Sequence, residues 1–292
     1  MHLGERDPIT GRTTTGHEWN GIKELNTPIP KVVLFFLVVG ALFAFGYWLL
    51  MPAWPLGTTY TKGLLGNDQR QIVTEQVEAA KSERAAWMDK IGGMDFAAIQ
   101  ADPDLMKHVM ETGRTLFVDN CAACHGVTAS GGPGFPNLSA KAWLWGGEPQ
   151  MIAETITVGI NSTNDDTRVS EMPAFGRDGL LKREQIVDVV AYVRSLSEGE
   201  HEGTPNEEQI AAGREVFKTT CASCHGEDGK GLRDVGAPNL TDGTWIYGAG
   251  MANIHGAVYG GRKGHMPHWR DRLTPEGIKL LALYVQQLGT AK

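Results

Sequence analysis

The sequence predicts a mainly α-helical protein, with one N-terminal transmembrane helix followed by two tandem helical domains of like design. Three observations carry this. Val32 to Met51 is a continuous uncharged run rich in Val, Leu and Phe. A five-residue motif, Cys-x-x-Cys-His, occurs at Cys121–His125 and again at Cys221–His225. Each motif is followed, near the end of its half, by one amphipathic stripe at helical spacing: Ile186, Val189, Val190, Val193 and Leu196, then Ile278, Leu281, Ala282, Val285 and Leu288. The chain divides accordingly into a polar segment (1–31), the apolar span (32–51), a linker with a helix (52–104) and two repeats (105–198 and 199–292), each of small-domain size.

The apolar run spans roughly 30 Å as a helix, the hydrocarbon thickness of a bilayer. About thirty mostly polar residues precede it, which a cleaved signal core does not have. Tyr47, Trp48 and Trp54 suit one interface, and Pro52 and Pro55 end the helix. Arg6, Arg12, Lys23 and Lys31 precede the span, against Lys62 and Arg70 in a comparable stretch after it. The bias predicts a single-pass anchor with its N-terminus in the cytoplasm.

In the linker, residues 67–91 place Ile72, Val73, Val77, Ala80 and Trp87 among polar positions, the pattern of a helix, with Asn67 as its expected N-cap. Asp102-Pro103 reads as an N-cap followed by proline at the first helical position, and Thr204-Pro205-Asn206-Glu207 has capping-box spacing. Both start helices leading into a motif. Glu198, Glu200, Glu202, Glu207 and Glu208 read as a solvated connection rather than a docking surface, since the net charge of −7 is modest.

Cys-x-x-Cys-His is the attachment signature of c-type haem. Two intervening residues let one helical turn present both sulfurs to the macrocycle edge, with the next side chain under the iron. Thioredoxin-like and zinc readings leave the histidines and the repetition unexplained. The four cysteines are all that the chain has. The expectation is two covalently bound haem c groups, on Cys121 and Cys124 and on Cys221 and Cys224, with His125 and His225 as proximal iron ligands.

The repetition extends beyond the cysteines. Gly113-Arg114 and Phe117 recur as Gly213-Arg214 and Phe217; Pro136-Asn137-Leu138 as Pro238-Asn239-Leu240; Trp143 as Trp245; Met172-Pro173 as Met266-Pro267. Met172 and Met266 are the distal-ligand candidates. A thioether favours ferrous iron, and the following proline holds the methionine extended. For the second haem, His265 and His268 compete with Met266, and His255 more remotely; His2, His17, His108 and His201 read as surface residues.

This order resembles the class I cytochrome c fold, in which an N-terminal helix crosses a C-terminal one around the haem. The resemblance implies two tandem class I cytochrome c-like domains, with the carbonyls of Pro136 and Pro238 accepting a hydrogen bond from the proximal histidines. For the bacterial c-type family it also implies haem attachment outside the inner membrane, so both domains are expected in the periplasm.

The stretch from Thr14 to Pro28, Thr-Thr-Gly-His-Glu-Trp-Asn-Gly-Ile-Lys-Glu-Leu-Asn-Thr-Pro, has no haem role. It resembles the N-terminal segment of the dihaem cytochrome c subunit (subunit III, the CcoP/FixP family) of cbb(3)-type cytochrome c oxidase. That resemblance covers nearly the whole chain and matches the single-anchor branch. It implies electron transfer from a donor cytochrome c or a bc complex, through the monohaem cytochrome c subunit, to the catalytic haem–copper subunit that reduces oxygen to water. It further implies that Cys121, Cys124, His125 and Met172 hold one haem, and Cys221, Cys224, His225 and Met266 the other. No catalytic acid, base or nucleophile and no nucleic-acid partner is expected. A membrane-tethered shuttle, the cytochrome subunit of a periplasmic dehydrogenase, and a dihaem peroxidase are the alternatives.

Overall fold

The computed structural model describes residues 4–197 and 206–290. The expected domain boundary at 198–199, most of the acidic connection, Thr204, His2 and His201 lie outside them. The chain forms two compact units, one ending at Glu83 and one beginning at Arg84.

In the first unit, β1 (Thr14–Trp19) and β2 (Ile22–Leu25) pair as an antiparallel hairpin. Asn20 and Gly21 make its two-residue turn, with φ of 51° and 84°; Asn-Gly tolerates these left-handed values, and the resulting twist matches that of the strands. The expected apolar span is α1 (Lys31–Leu50), long and apolar enough to cross a membrane. After Lys31 its residues are uncharged and mostly apolar on every side, and none is buried within the chain, as suits a lipid-facing helix. It stops where Met51, extended ahead of Pro52, cannot continue the helix. The N–H groups of Leu64 and Leu65 then bond the carbonyls of Leu49 and Leu50, satisfying part of the open helix end.

The linker helix is α2 (Gln69–Gly93). Its cap is Asp68, not Asn67: Asp68 Oδ1 accepts from the Arg70 and Gln71 N–H groups, while the Asn67 amide donates to Met51 Sδ. A carboxylate is the better acceptor for the helix's positive end.

In the second unit, α3 (Phe96–Gln100) is capped by Asp95. Next, α4 (Pro103–Asn120) has the expected Asp102 cap and Pro103 at its start. It runs into the motif turn α5 (Ala122–His125) and, after a loop, α6 (Pro149–Val158) and α7 (Arg183–Leu196). The second repeat gives α8 (Glu207–Val216), capped by Asn206, then a π-helical turn (Phe217–Cys221), the motif turn α9 (Ala222–His225), α10 (Met251–Gly260) and α11 (Pro275–Thr290).

The packing of these helices is crossed. α4 of the first repeat lies against α11 of the second, and α7 of the first lies against α8 of the second. Gly113 and Gly213 permit the close approaches. A Cβ on Gly113 would sit 2.7 Å from Tyr284 Cβ, and one on Gly213 would overlap the Asp188 carbonyl. Phe117 then meets Tyr284, with ring centroids 5.7 Å apart, and Phe217 meets Tyr192 at 5.3 Å. Sequence order predicts the opposite, each repeat closing on its own last helix. The two stripes on α7 and α11 are interchangeable in pattern, so local sequence leaves the partner open. The short connection after Leu196 favours α8 as the neighbour of α7.

Two hydrophobic cores result. The first joins Ile91, Ile99, Val109, Phe117, Ile152 and Ile156 to Leu280, Leu281, Leu283 and Tyr284. Lys279 on α11 donates to the carbonyls of Ile91, Gly92 and Met94, anchoring the end of α2 there. The second core joins Ile186, Val189, Val190 and Val193 to Phe217, Ile254 and Val258.

Candidate haem sites

Each motif forms one helical turn ended by a left-handed glycine. The His125 N–H bonds the Cys121 carbonyl at 2.9 Å, and Gly126 and Gly226 both have φ of 77°. Cys121 and Cys221 are half-buried, Cys124 and Cys224 exposed, and none of the four is in a disulfide. Burial, and secondarily the neighbouring thiol, push Cys121 and Cys221 up to about 11.

The histidines are oriented as expected. His125 Nδ1 lies 3.1 Å from the Pro136 carbonyl oxygen, and His225 Nδ1 lies 3.2 Å from that of Pro238. A carbonyl only accepts, so Nδ1 carries the proton and Nε2 keeps its lone pair for a metal. Burial pulls both imidazoles below the usual histidine value, opposed by these bonds; the neutral, ligating form is favoured. The sequence explains how the proline is held. Asn137 Oδ1 accepts from the Ser139 N–H and Asn239 Oδ1 from the Thr241 N–H, both at 2.9 Å. The Leu138 and Leu240 N–H groups bond Ala129 and Gly229, so Pro-Asn-Leu folds as a side-chain-closed turn with its carbonyl turned to the imidazole.

The methionines are exchanged along with the last helices. Met266 packs into the core containing Cys121, Ala122, Leu138, Trp143 and Trp269. Met172 packs with Cys221, Ala222, Trp245, Phe175 and Met251. The structure therefore groups Met266 with His125 and Met172 with His225, the reverse of the pairing expected from sequence order. Two-way backbone bonds clamp each loop: Met266 with Ile160 (2.9 Å both ways) and Met172 with Arg262 (2.8 and 3.0 Å). Gly159 and Gly261, with φ of 72° and 69°, let the strands close; a Cβ would sit 2.5 and 2.6 Å from the methionine carbonyl oxygens.

The competing histidines are placed by the same exchange. His265 and His268 flank Met266, at the first pocket rather than the second. His265 is exposed, and His268 Nε2 faces Thr163 Oγ1 at 3.4 Å. His255 stacks near Tyr259, ring centroids 6.0 Å apart. His17 is exposed beside Glu24, whereas His108, expected at the surface, is half-buried and stacked 4.5 Å from Trp87.

This donor set fits haem c. Each site offers two free thiols one turn apart, an imidazole with Nε2 open, and a soft thioether in an apolar, aromatic-walled pocket. The chain carries a further repeat that its pattern hides: Arg168-x-x-x-Met172-Pro173 and Arg262-x-x-x-Met266-Pro267. The unequal spacing from α6 and α10 to the two Met-Pro pairs obscures it, although counting back from Met-Pro finds it.

Comparison with known families matches residues 11–58 to the N-terminal domain of cytochrome oxidase-cbb3, FixP, residues 110–197 to cytochrome c, and residues 208–285 to cytochrome C oxidase, cbb3-type, subunit III. A cbb3-type cytochrome c oxidase subunit FixP from Bradyrhizobium sp. (strain ORS 278) is 44% identical over 292 residues, covering 99% of this chain and 98% of its own. Subunits CcoP from Cereibacter sphaeroides and Azospirillum brasilense are 44% and 42% identical, covering 94% and 100% of both partners.

Proposed function

The chain belongs to the FixP/CcoP family of cbb3-type cytochrome c oxidase subunits, and from that premise we propose a two-haem electron path built from exchanged halves. The protein is a membrane-anchored, haem c-binding electron-transfer subunit of a cbb3-type oxidase. One haem is held by Cys121, Cys124, His125 and Met266, the other by Cys221, Cys224, His225 and Met172. The observation that carries this is the packing of each methionine into the core of the opposite repeat's motif.

Haem c supplies one-electron exchange between ferrous and ferric iron; the chain supplies attachment, orientation and potential. The Pro136 and Pro238 carbonyls strengthen their histidines as donors and hold the rings. The methionines favour the ferrous state, raising the potential. Trp143, Trp269, Trp245 and Phe175 keep water from the pockets.

The N-terminal segment faces the cytoplasm and the haem domains the periplasm of a bacterial inner membrane. This orientation is supported by the basic residues before α1 and by the side on which c-type haem is attached. The partners are the monohaem cytochrome c subunit and the catalytic haem–copper subunit downstream, and a donor cytochrome c or bc complex upstream. Affinity purification from native membranes in mild detergent tests the assignment. Copper, haem b and cyanide-sensitive oxygen uptake accompany the subunit, and its own mass carries two haems. Recovery with c-type haem alone, under conditions that preserve the complex, returns the tethered shuttle.

A further inference from the structure

Arg168 and Arg262 occupy matching places outside every ligand role. Each stands four residues before a Met-Pro pair. The Arg168 guanidinium lies 4.9 Å over the Trp145 ring, and that of Arg262 lies 4.5 Å over Tyr247. Trp145 and Tyr247 are themselves equivalent, two residues beyond Trp143 and Trp245. Each ring then meets the other repeat at the glycine two residues before its proline. Trp145 abuts Gly236, ahead of Pro238, and Tyr247 lies by Gly134, ahead of Pro136. The Gly134 N–H also bonds the Ile246 carbonyl at 2.9 Å.

Each arginine thus stands on the seam between the two pockets, with its aromatic platform against the proximal loop of one of them. Arg168 precedes Met172, and its aromatic platform touches the Pro238 loop, both belonging to the second pocket. Arg262 precedes Met266, and its platform touches the Pro136 loop, both belonging to the first, while its backbone pairs with Met172 of the second. A cavity of about 580 Å³ opens on this seam, bordered by Ser130, Pro133, Phe135, Asn137, Thr244 and Tyr247.

The polar bookkeeping at these guanidiniums is incomplete. Arg168, with only 11% of its side chain exposed, pairs through Nη2 with Glu154 at 3.0 Å and approaches the Met151 carbonyl at 3.5 Å. Arg262 donates through Nη1 to the Gly261 carbonyl, and no carboxylate pairs with it among the described residues. In both, Nε is buried without a hydrogen-bond partner. An aromatic face offsets part of the charge but accepts no strong hydrogen bond. A buried guanidinium edge calls for a planar anion, and the forked geometry suits a carboxylate.

We propose that Arg168 and Arg262 bind haem propionate carboxylates, Arg168 at the Cys221/His225 site and Arg262 at the Cys121/His125 site. This rests on both motifs carrying haem. A cation at the propionate favours the electron-rich ferrous state, and it keeps the carboxylate ionised through the redox cycle, so the potential stays high and nearly independent of pH.

The test uses the full-length membrane subunit carrying Arg168→Gln or Arg262→Gln. Covalent haem content, the near-infrared methionine-to-ferric-iron band and the midpoint potentials across the neutral pH range are measured. The expected result is unchanged haem content and an intact band, with a lower and more pH-dependent potential for one haem, a different one in each variant. Unchanged potentials and pH slopes with the band intact overturn the proposal, as does displacement of the same haem by both variants. Should a glutamine variant lose its band, the Arg168→Met or Arg262→Met variant decides. With the band intact, a lower potential or a new pH slope supports the contact, because the cation is gone; values identical to the parent overturn it. A parent protein lacking haem at either motif refutes the underlying two-haem reading instead.

Discussion

The two pockets are built from the same kinds of residue but close over very different stretches of chain. The second is shut by α7 and α8, neighbours in sequence joined by residues 197–206. The first is shut by α4 and α11, which stand at opposite ends of the haem-bearing region. Closing a long loop costs more chain entropy than closing a short one, though only logarithmically. The exchange therefore changes stability little but changes dependence greatly. The N-terminal motif relies on the last helix of the chain, whereas the C-terminal motif relies on a helix made before it.

The largest expected effect breaks that asymmetry open. Ending the chain at Thr274 removes Leu280, Leu281, Leu283, Tyr284 and Val285 from the first core, all at most 5% exposed. At about 1.5–3 kcal/mol for each buried side chain, the loss is on the order of 10 kcal/mol, comparable to a domain's whole stability. The expected outcome is loss of the methionine band from the haem at Cys121 and Cys124, while the haem at Cys221 and Cys224 retains its spectrum. Failure of the second haem alone sinks the crossed arrangement.

Next come the methionines, tested one haem at a time. In a chain with Cys121→Ser and Cys124→Ser, Met172→Ala should abolish the remaining methionine band and lower the potential, and Met266→Ala should leave both nearly unchanged. With Cys221→Ser and Cys224→Ser the two results exchange. The opposite pattern would restore pairing by sequence order.

Gly113→Ala and Gly213→Ala sharpen the comparison at the helix crossings. A methyl group meets Tyr284 in one case and the Asp188 carbonyl in the other, and overpacking of this kind costs about 1–3 kcal/mol. Thermal melts followed at each haem's absorption should show the first substitution loosening the first pocket and the second substitution the second.

The smallest difference is expected between the motifs themselves. In a chain made without haem attachment, Cys121 and Cys221 at about 11 are about one part in a thousand thiolate at pH 8. The thiolate grows only as pH rises toward that value. Peptide mass spectrometry after brief alkylation should find exposed Cys124 and Cys224 labelled ahead of their half-buried neighbours, equally in both motifs. Equal labelling of all four contradicts the burial of the first thiol.

Much of this was legible residue by residue. The apolar run, the repeated motif and the Asp102 cap act through neighbours within a few positions, so each carries its own signature. Asn67 and Asp68 both suit a helix start, and the carboxylate is the one that caps. Arg168 and Arg262 carry no local signature, because their ring partners lie more than a dozen residues away.

By itself the sequence marked out the apolar span, the two Cys-x-x-Cys-His turns with their candidate histidine ligands, and the methionine candidates; the part of the proline carbonyls was implied by the resemblance to class I cytochrome c. Only the tertiary structure decided which methionine and which last helix pack against which motif. The physical reason is the repeat itself. Two copies with matching stripes, glycines and aromatic partners make the same contacts whether each closes on itself or on the other. Pattern specifies the face of a helix that is buried, while loop length and global packing select the copy that covers it.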